Sequence, residues 1–194
     1  MPLKAKLRLT LRRLWRPLGR ARRSRGFGVH SPFAFRFITL VLRDSRSVYY
    51  STGKIRDFAA GRRRRRNLAM LFRIVCDRKP QTLVLPPDLP EAERRVIHMA
   101  DSRLQPITPA EALTLPAGSC RLFICLPELS AENLQAGRRV LSSEDSTLVL
   151  LRADSHRLAT LKDGLDHIMT FTNGKYAVLV SRHGLPMQNF EINF

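Results

Sequence analysis

The hydrophobic positions of this chain fall into short unbroken runs, at residues 82–85, 121–126 and 147–151. Unbroken apolar runs are typical of strands that are buried on both faces, as in a parallel sheet. The segments between and after these runs have the apolar spacing of helices, at residues 91–100, 130–141 and 155–171. This alternation predicts an α/β fold with a doubly wound, mostly parallel sheet.

The two ends of this layout are less regular. Residues 103–107 form only a poor strand candidate, because Pro106 interrupts them. Residues 176–181 and 188–194 predict a terminal pair of strands, so that the sheet closes with an antiparallel terminal strand. Upstream of the sheet, Ser31 and Pro32 predict the start of a buried helix over 33–43, and a second helix follows over 67–76.

The first 18 residues predict a basic amphipathic helix. Six apolar side chains share one face and basic residues fill the rest; the apolar six are Leu3, Leu7, Leu11, Leu14, Trp15 and Leu18. Such a helix is compatible with three roles, namely docking on the domain, lying on anionic lipid, or binding nucleic-acid phosphates. We therefore divide the chain into a basic arm (1–24), a basic helical N-terminal extension (25–80) and an α/β domain (81–194).

The net charge of +18 is concentrated in the N-terminal part of the chain. Residues 1–80 hold 23 lysines and arginines against 3 acids, whereas residues 81–194 hold 11 against 13. This asymmetry favours a polyanion partner, either nucleic acid or an anionic membrane surface, with a protein partner as a further alternative. The candidate polyanion-binding residues are Arg12, Arg13, Arg16, Arg20, Arg22, Arg23, Arg62, Arg63, Arg64, Arg65 and Arg66.

Other residue types give no indication of catalysis. Cys76, Cys120 and Cys125 lie in apolar runs without metal-ligand or disulfide spacing, which favours buried thiols in a reducing compartment. His30 and His98 are each isolated, so we expect structural roles and no metal site. No apolar run is long enough to span a membrane. We expect a cytoplasmic protein, with peripheral attachment to a membrane as an alternative.

Several segments together resemble a bacterial branch of the class I S-adenosylmethionine-dependent methyltransferases. These are residues 25–35, which contain His30-Ser31-Pro32-Phe33, the Leu71-Phe72-Arg73 triplet, the 79–85 strand that begins Lys79-Pro80, and residues 188–194. The matching segments occur in order along residues 25–194. The resemblance implies a methyltransferase-like sheet, reduced in this chain.

The chain departs from that family at each position that would hold the cofactor. Where the family has an acidic, glycine-rich loop after the first strand, this chain has Leu85, Pro86, Pro87 and Asp88. The family's second strand, with its ribose-binding acid, has no counterpart between residues 85 and 103. Cys125 and Arg152 stand where acids are expected after the next strands. Glycine permits close backbone approach to a ligand, whereas proline restricts φ and removes a donor.

These departures predict a degenerate methyltransferase-like protein without cofactor binding or catalytic residues, which acts as a non-catalytic binding or scaffold protein with a strongly basic surface. Leu85, Pro86, Pro87, Asp88, Cys125 and Arg152 would then mark a vestigial cofactor region. The alternative is an S-adenosylmethionine-dependent methyltransferase with an altered site, in which Asp88, Glu128 or Asp154 replaces the missing acids.

Overall fold

The structure is a computed structural model that describes residues 30–43, 51–125, 130–153 and 155–194. Its first elements are helical. Helix α1 (Pro32–Arg36) continues directly into one π-helical segment (Phe37–Leu42), and a short helix α2 (Ser51–Lys54) is followed by a 3₁₀ turn (Ile55–Asp57). The long helix α3 spans Arg62–Arg78. Ser31 caps α1 by accepting a hydrogen bond from the Ala34 amide, and Pro32 occupies the first turn, as the sequence predicts.

The rest of the chain alternates between strands and helices. The strands are β1 (Leu83–Val84), β2 (Pro106–Ile107), β3 (Leu122–Cys125), β4 (Ser146–Leu150), β5 (Ile168–Thr172), β6 (Ala177–Ser181) and β7 (Gln188–Glu191). The helices between them are α4 (Glu91–Ala100), α5 (Pro109–Thr114), α6 (Ala131–Leu141) and α7 (Ser155–Lys162).

Within the described residues the strands form a seven-stranded sheet in the order β2-β1-β3-β4-β6-β5-β7. The pairs β1–β2, β1–β3, β3–β4 and β5–β7 are parallel, whereas β6 is antiparallel to both of its neighbours. The chain first moves from β1 outward to β2 and then crosses back to β3. The switch point of this doubly wound, mostly parallel sheet therefore lies between β1 and β3, which confirms the predicted fold class.

Three details of the predicted sheet are wrong. The predicted helix over 155–171 ends at Lys162, since Gly164 (φ +68°) and His167 (φ +59°) reverse the backbone and residues 168–172 form β5. Strand β6 pairs with β5 and β4, so the predicted pairing of 176–181 with 188–194 does not form, and the terminal strand β7 runs parallel to β5 at the edge. Finally, the resemblance implied that the family's second strand is missing, but a short strand does form beside β1 at Pro106–Ile107, within the weak candidate at 103–107.

The sheet separates two hydrophobic clusters. In β3, Leu122 and Ile124 belong to the cluster that contains α1, α3 and α4, whereas Phe123 belongs to the opposite cluster with α6. Alternate side chains of a strand point to opposite faces, so the molecule has a helix–sheet–helix arrangement. The first cluster includes the aromatic contact between Phe37 and Phe171, whose ring centroids are 5.2 Å apart. The π-helical segment that follows α1 thus packs directly on β5.

A buried arginine ties the N-terminal helices together. Arg73, in the middle of α3, donates to the carbonyl oxygens of Val41 (2.6 Å) and Leu42 (3.1 Å) at the end of the π-helical segment. The last carbonyl groups of a helix lack partners within the helix, so this guanidinium satisfies groups that would otherwise be buried without a hydrogen bond. The arrangement holds residues 32–42 against α3, whose N-terminus reaches the carboxyl edge of the sheet.

Candidate functional site: a basic cleft at the carboxyl edge of the sheet

The loop after β1 uses its own backbone groups internally. Pro86, Pro87 and Pro90 have no amide hydrogen, and the Leu89 amide donates to the carbonyl oxygen of Pro86 at 3.2 Å. The Arg94 guanidinium, from the first part of α4, donates to three carbonyl oxygens of the loop: Pro86 (3.0 Å), Pro87 (2.6 Å) and Leu89 (2.9 Å). At this strand end, where doubly wound folds bind ligands, the loop carbonyl groups are therefore engaged by a side chain of the protein itself.

The end of β2 also has a structural role. Thr108 follows the strand and caps α5, with its hydroxyl accepting a hydrogen bond from the Glu111 amide at 3.2 Å. The Glu111 carboxylate in turn accepts from the Thr108 amide at 2.7 Å, which completes a capping box and lowers the pKa of Glu111. The acid nearest to the end of this strand in the sequence is thus engaged in stabilising a helix terminus.

A cleft with a volume of about 630 Å³ opens between the N-termini of α3 and α4, the end of β4 and the β5–β6 turn. Its chemically distinctive lining residues are Arg63, Arg64, Glu93, Arg152, Lys175 and Tyr176. The volume lies within the roughly 300–1,000 Å³ of typical small-molecule sites. We refer to this site, defined by those six residues, as the basic cleft.

Backbone contacts fix the position of the cations from β4 and the β5–β6 turn. The Ala153 amide donates to the Lys175 carbonyl oxygen at 2.7 Å, which brings the residue after Arg152 against the turn. Within the turn, the Asn173 side-chain oxygen accepts from the amides of Lys175 (3.0 Å) and Tyr176 (2.9 Å). The turn is therefore held by several hydrogen bonds, and its exposed lysine lies beside the exposed Arg152.

The opposite wall of the basic cleft is the first turn of α3. Gly61 precedes the helix with a φ of +81°, and no side chain caps the helix and no acid lies in its first turn. Arg64 donates to the Glu93 carboxylate at 2.6 Å, whereas Arg63 is exposed toward the cleft. Burial raises the pKa of Glu93, and the neighbouring Arg64 guanidinium partly opposes that increase.

The resulting electrostatics are strongly positive. Among the described residues, four cationic side chains and one carboxylate line the basic cleft, and that carboxylate is paired with Arg64. Within the same part of the chain, the structure gives the side chains of Arg63, Arg152 and Lys175 no hydrogen bond or ion pair. The helix N-terminus adds further positive potential. The arrangement is thus suited to an anion.

The structure distributes the other predicted residues as follows. Of the arginine run, Arg63 and Arg64 line the basic cleft, whereas Arg62 and Arg66 are exposed outside it and Arg65 is half-buried. Leu85 and Pro86 are buried, Pro87 and Asp88 are exposed, and Cys125 ends β3. The arm arginines lie outside the described residues, as do Glu128 and Asp154; the former are Arg12, Arg13, Arg16, Arg20, Arg22 and Arg23.

The sequence-based interpretation missed three residues of the cleft. Lys175 and Tyr176 occur in a segment that the sequence marks only as a turn followed by a strand, and Glu93 occurs in an amphipathic helix. The sequence placed Arg152 in the vestigial cofactor region but did not predict which residues it contacts.

The remaining candidates lie away from this edge. His98 is exposed and lines an open depression at the amino end of β1, together with Cys76, Asp101 and Arg103. Burial raises the pKa of the Cys76 thiol, and burial likewise raises the pKa of Cys120. Neither change favours a reactive thiolate. In the described ranges, no group of three or more His, Cys, Asp or Glu side chains is placed to hold a metal ion.

No helix in the described part of the chain has the length and apolar character needed to cross a membrane.

Comparison with known proteins gives matches among solved structures. No protein-family model matches the chain, and no curated protein matches it significantly. Among solved structures, a methyltransferase from Geobacter sulfurreducens is similar with a TM-score of 0.42 and 13% identity, over 68% of this chain and 86% of that one. An O-methyltransferase family protein from Burkholderia thailandensis gives 0.40 and 9% identity, over 86% of this chain and 64% of that one.

The chain's own strand order defines its structural class. A parallel sheet with its switch point beside β1, flanked by helices on both faces and completed by the reversed strand β6, is a Rossmann-like fold of the methyltransferase type. The class describes the fold, whereas activity depends on the residues at the carboxyl edge of the sheet.

Proposed function

We propose that this protein is a degenerate methyltransferase-like protein that does not bind S-adenosylmethionine and that acts as a non-catalytic binding or scaffold protein through its basic surface. The observation that carries this proposal is the loop after β1. Its three prolines remove amide donors, and Arg94 occupies the carbonyl oxygens of Pro86, Pro87 and Leu89. A ligand that approaches this strand end meets no glycine, and Pro86 and Pro87, the first two residues after Leu85, offer no amide donor.

The electrostatics of the neighbouring cleft support the same proposal. S-adenosylmethionine carries a positive sulfonium, whereas the basic cleft is lined by four cations and one paired carboxylate. Like charges in a partly enclosed site oppose binding. Thr108 follows β2, where the resemblance implies a ribose-binding acid, and Arg152 follows β4, where a further acid is expected.

Calorimetric titration of the full chain with S-adenosylmethionine and with S-adenosylhomocysteine tests the loss of cofactor binding. We expect no measurable binding of either ligand. Micromolar binding of S-adenosylmethionine would contradict the proposal and favour the alternative, a methyltransferase with an altered cofactor site. The observation that favours this alternative is the cleft of about 630 Å³ that persists beside Arg152.

The second part of the proposal is that the basic surface binds a polyanion. Arg62–Arg66 and the arm arginines provide the positive charge, and nucleic acid and anionic lipid are both compatible with it. Filter binding with RNA and flotation with anionic vesicles separate the two, because nucleic-acid affinity falls steeply with salt while lipid insertion of Trp15 and the leucines resists salt. Replacement of Arg12, Arg13 and Arg16 by glutamine should weaken the interaction that uses the arm. If neither polyanion binds at physiological ionic strength, this part of the proposal is wrong.

A further inference from the structure

We infer that the basic cleft is a binding site for a phosphorylated ligand of nucleotide size, with the phosphate held by Arg63, Arg152 and Lys175. This inference deepens the proposed function, because it assigns the anion-binding role to one defined cleft and to one class of ligand.

The cleft carries an excess of positive charge, which favours binding of an anion. Five arginines begin α3 at its positive end, where an anion is favourable and cations are unfavourable. Of the two that line the cleft, Arg64 already has a partner in Glu93, whereas Arg63 has no partner among the described residues. Arg152 and Lys175 add positive charge from two other elements. Three parts of the chain thus place cations around one cleft. Their N–H donors can pair with the several oxygens of a phosphate group.

The volume and the apolar lining residues of the cleft restrict the class of ligand further. Leu151 and Tyr176 line it and pack at the same time against the hydrophobic cluster on the α3 side of the sheet. A half-buried tyrosine ring provides a flat surface on which a base can stack. The volume of about 630 Å³ exceeds what a bare phosphate needs and suits a ligand with a planar, partly apolar body. A nucleotide, free or at the end of a strand, has both features.

The cleft differs in chemistry from a site for S-adenosylmethionine. Its excess charge is positive, and its cations come from the N-terminus of α3, the exit of β4 and the β5–β6 turn, while the loop after β1 is closed by Arg94. Binding of a phosphorylated ligand therefore does not require the lost cofactor loop.

Isothermal titration of the full chain with ADP tests the inference, with adenosine and pyrophosphate as probes that each lack one half of the ligand. We expect ADP to bind at least about tenfold more tightly than adenosine, because a charge-assisted hydrogen bond contributes more than a neutral one. Pyrophosphate should bind more weakly than ADP, since it cannot use Tyr176. If ADP and adenosine bind equally, or neither binds, the inference is wrong.

Matched variants locate the site. Arg63→Ala and Arg66→Ala remove the same charge from exposed positions of α3, but only Arg63 lines the cleft. Arg152→Ala and Arg121→Ala likewise remove exposed arginines, one after β4 and one before β3 at the opposite edge of the sheet. We expect Arg63→Ala and Arg152→Ala each to weaken ADP binding about tenfold, and the two controls to change it less than about twofold. An equal loss in all four variants would show diffuse charge attraction and overturn the inference.

Lys175→Ala serves as an independent cleft variant, and circular dichroism of each variant confirms that it is folded.

A short single-stranded RNA and vesicles with anionic phospholipid distinguish the sources of the phosphate. RNA binding that ADP competes for supports the inference. Vesicle binding that ADP does not affect, without binding of ADP itself, contradicts it. Neither outcome alters the result of the titration with S-adenosylmethionine, so the two proposals fail separately.

Discussion

The Arg64 guanidinium donates to the Glu93 carboxylate across 2.6 Å, and the Glu93 side chain is only 6% exposed. The pair joins the first turn of α3 to the first turn of α4 and lines the basic cleft. Glu93 thereby neutralises one arginine of the run while its own burial disfavours the charged form. The same carboxylate therefore affects both the stability of the fold and the charge of the cleft.

The first prediction concerns the pH dependence of stability. Burial raises the pKa of Glu93 above its ordinary value of 4.5, despite Arg64, so near and above 4.5 the folded state binds more protons at this site than the unfolded state. This contribution is favourable at low pH and is lost as the pH rises through the raised pKa. Glu93→Gln removes the titration, so over that pH window the free energy of unfolding of this variant should rise relative to that of the wild type.

Urea unfolding at several pH values measures this difference. Glu91→Gln is the matched control, because Glu91 lies in the same turn of α4 but has a side chain that is 71% exposed. The control should follow the wild type at each pH. If the Glu93→Gln and wild-type curves stay parallel, Glu93 does not titrate differently in the folded state.

The second prediction concerns ligand affinity. Glu93→Gln removes the carboxylate from the basic cleft and frees Arg64, so the affinity for ADP should rise about threefold or more, as expected for one unit charge near a partly solvated site. Glu91→Gln should leave the affinity unchanged, because Glu91 does not line the cleft. Titration of both variants at low and high salt separates the effect from general screening, since screening weakens both. A lower affinity of Glu93→Gln would show that the Arg64–Glu93 pair is required to shape the site.

The sequence predicted the central strands well because local pattern determines them. Strands β3 and β4 are continuous apolar runs and are buried on both faces, so their periodicity has one interpretation. The segment that contains β5 was misjudged, because Leu158, Leu161 and Leu165 continue a helical spacing toward Ile168. The break depends on a positive φ at Gly164 and also at His167, a conformation that is uncommon in residues other than glycine and that the helical spacing does not reveal.

The basic cleft could not be predicted from the sequence, because its residues are distant along the chain. Arg64 and Glu93 meet through the packing of α3 on α4, and Arg152 meets Lys175 only through the antiparallel pairing of β4 with β6. The sequence predicted the arginine run as a charged surface but contained no information on which members face a concavity. The absence of glycine from the loop after β1 is visible in the sequence, whereas the role of Arg94 depends on a turn that brings α4 back over the loop.

The third prediction concerns Arg73 and the N-terminal helices. Arg73→Met retains an unbranched apolar side chain but leaves the buried carbonyl oxygens of Val41 and Leu42 without this donor. We expect a loss of about 2 kcal/mol or more in the free energy of unfolding, because each orphaned buried acceptor is costly. Arg66→Met, on the same helix but exposed, should have little effect. Urea unfolding followed by circular dichroism measures both, and equal stability of the two variants would contradict the role of Arg73.

The last prediction concerns the loop after β1. Arg94→Ala removes the donor to the carbonyl oxygens of Pro86, Pro87 and Leu89 and should lower the free energy of unfolding by about 1–2 kcal/mol, since these hydrogen bonds are charge-assisted but partly exposed to solvent. Arg95→Ala is the control, because among the described residues the neighbouring arginine makes only an exposed ion pair with Glu91 and should contribute little. Arg94→Ala should still fail to bind S-adenosylmethionine in calorimetry, because the prolines continue to restrict φ and to withhold amide donors. Binding of the cofactor by Arg94→Ala would instead show that the arginine alone closes an otherwise competent site.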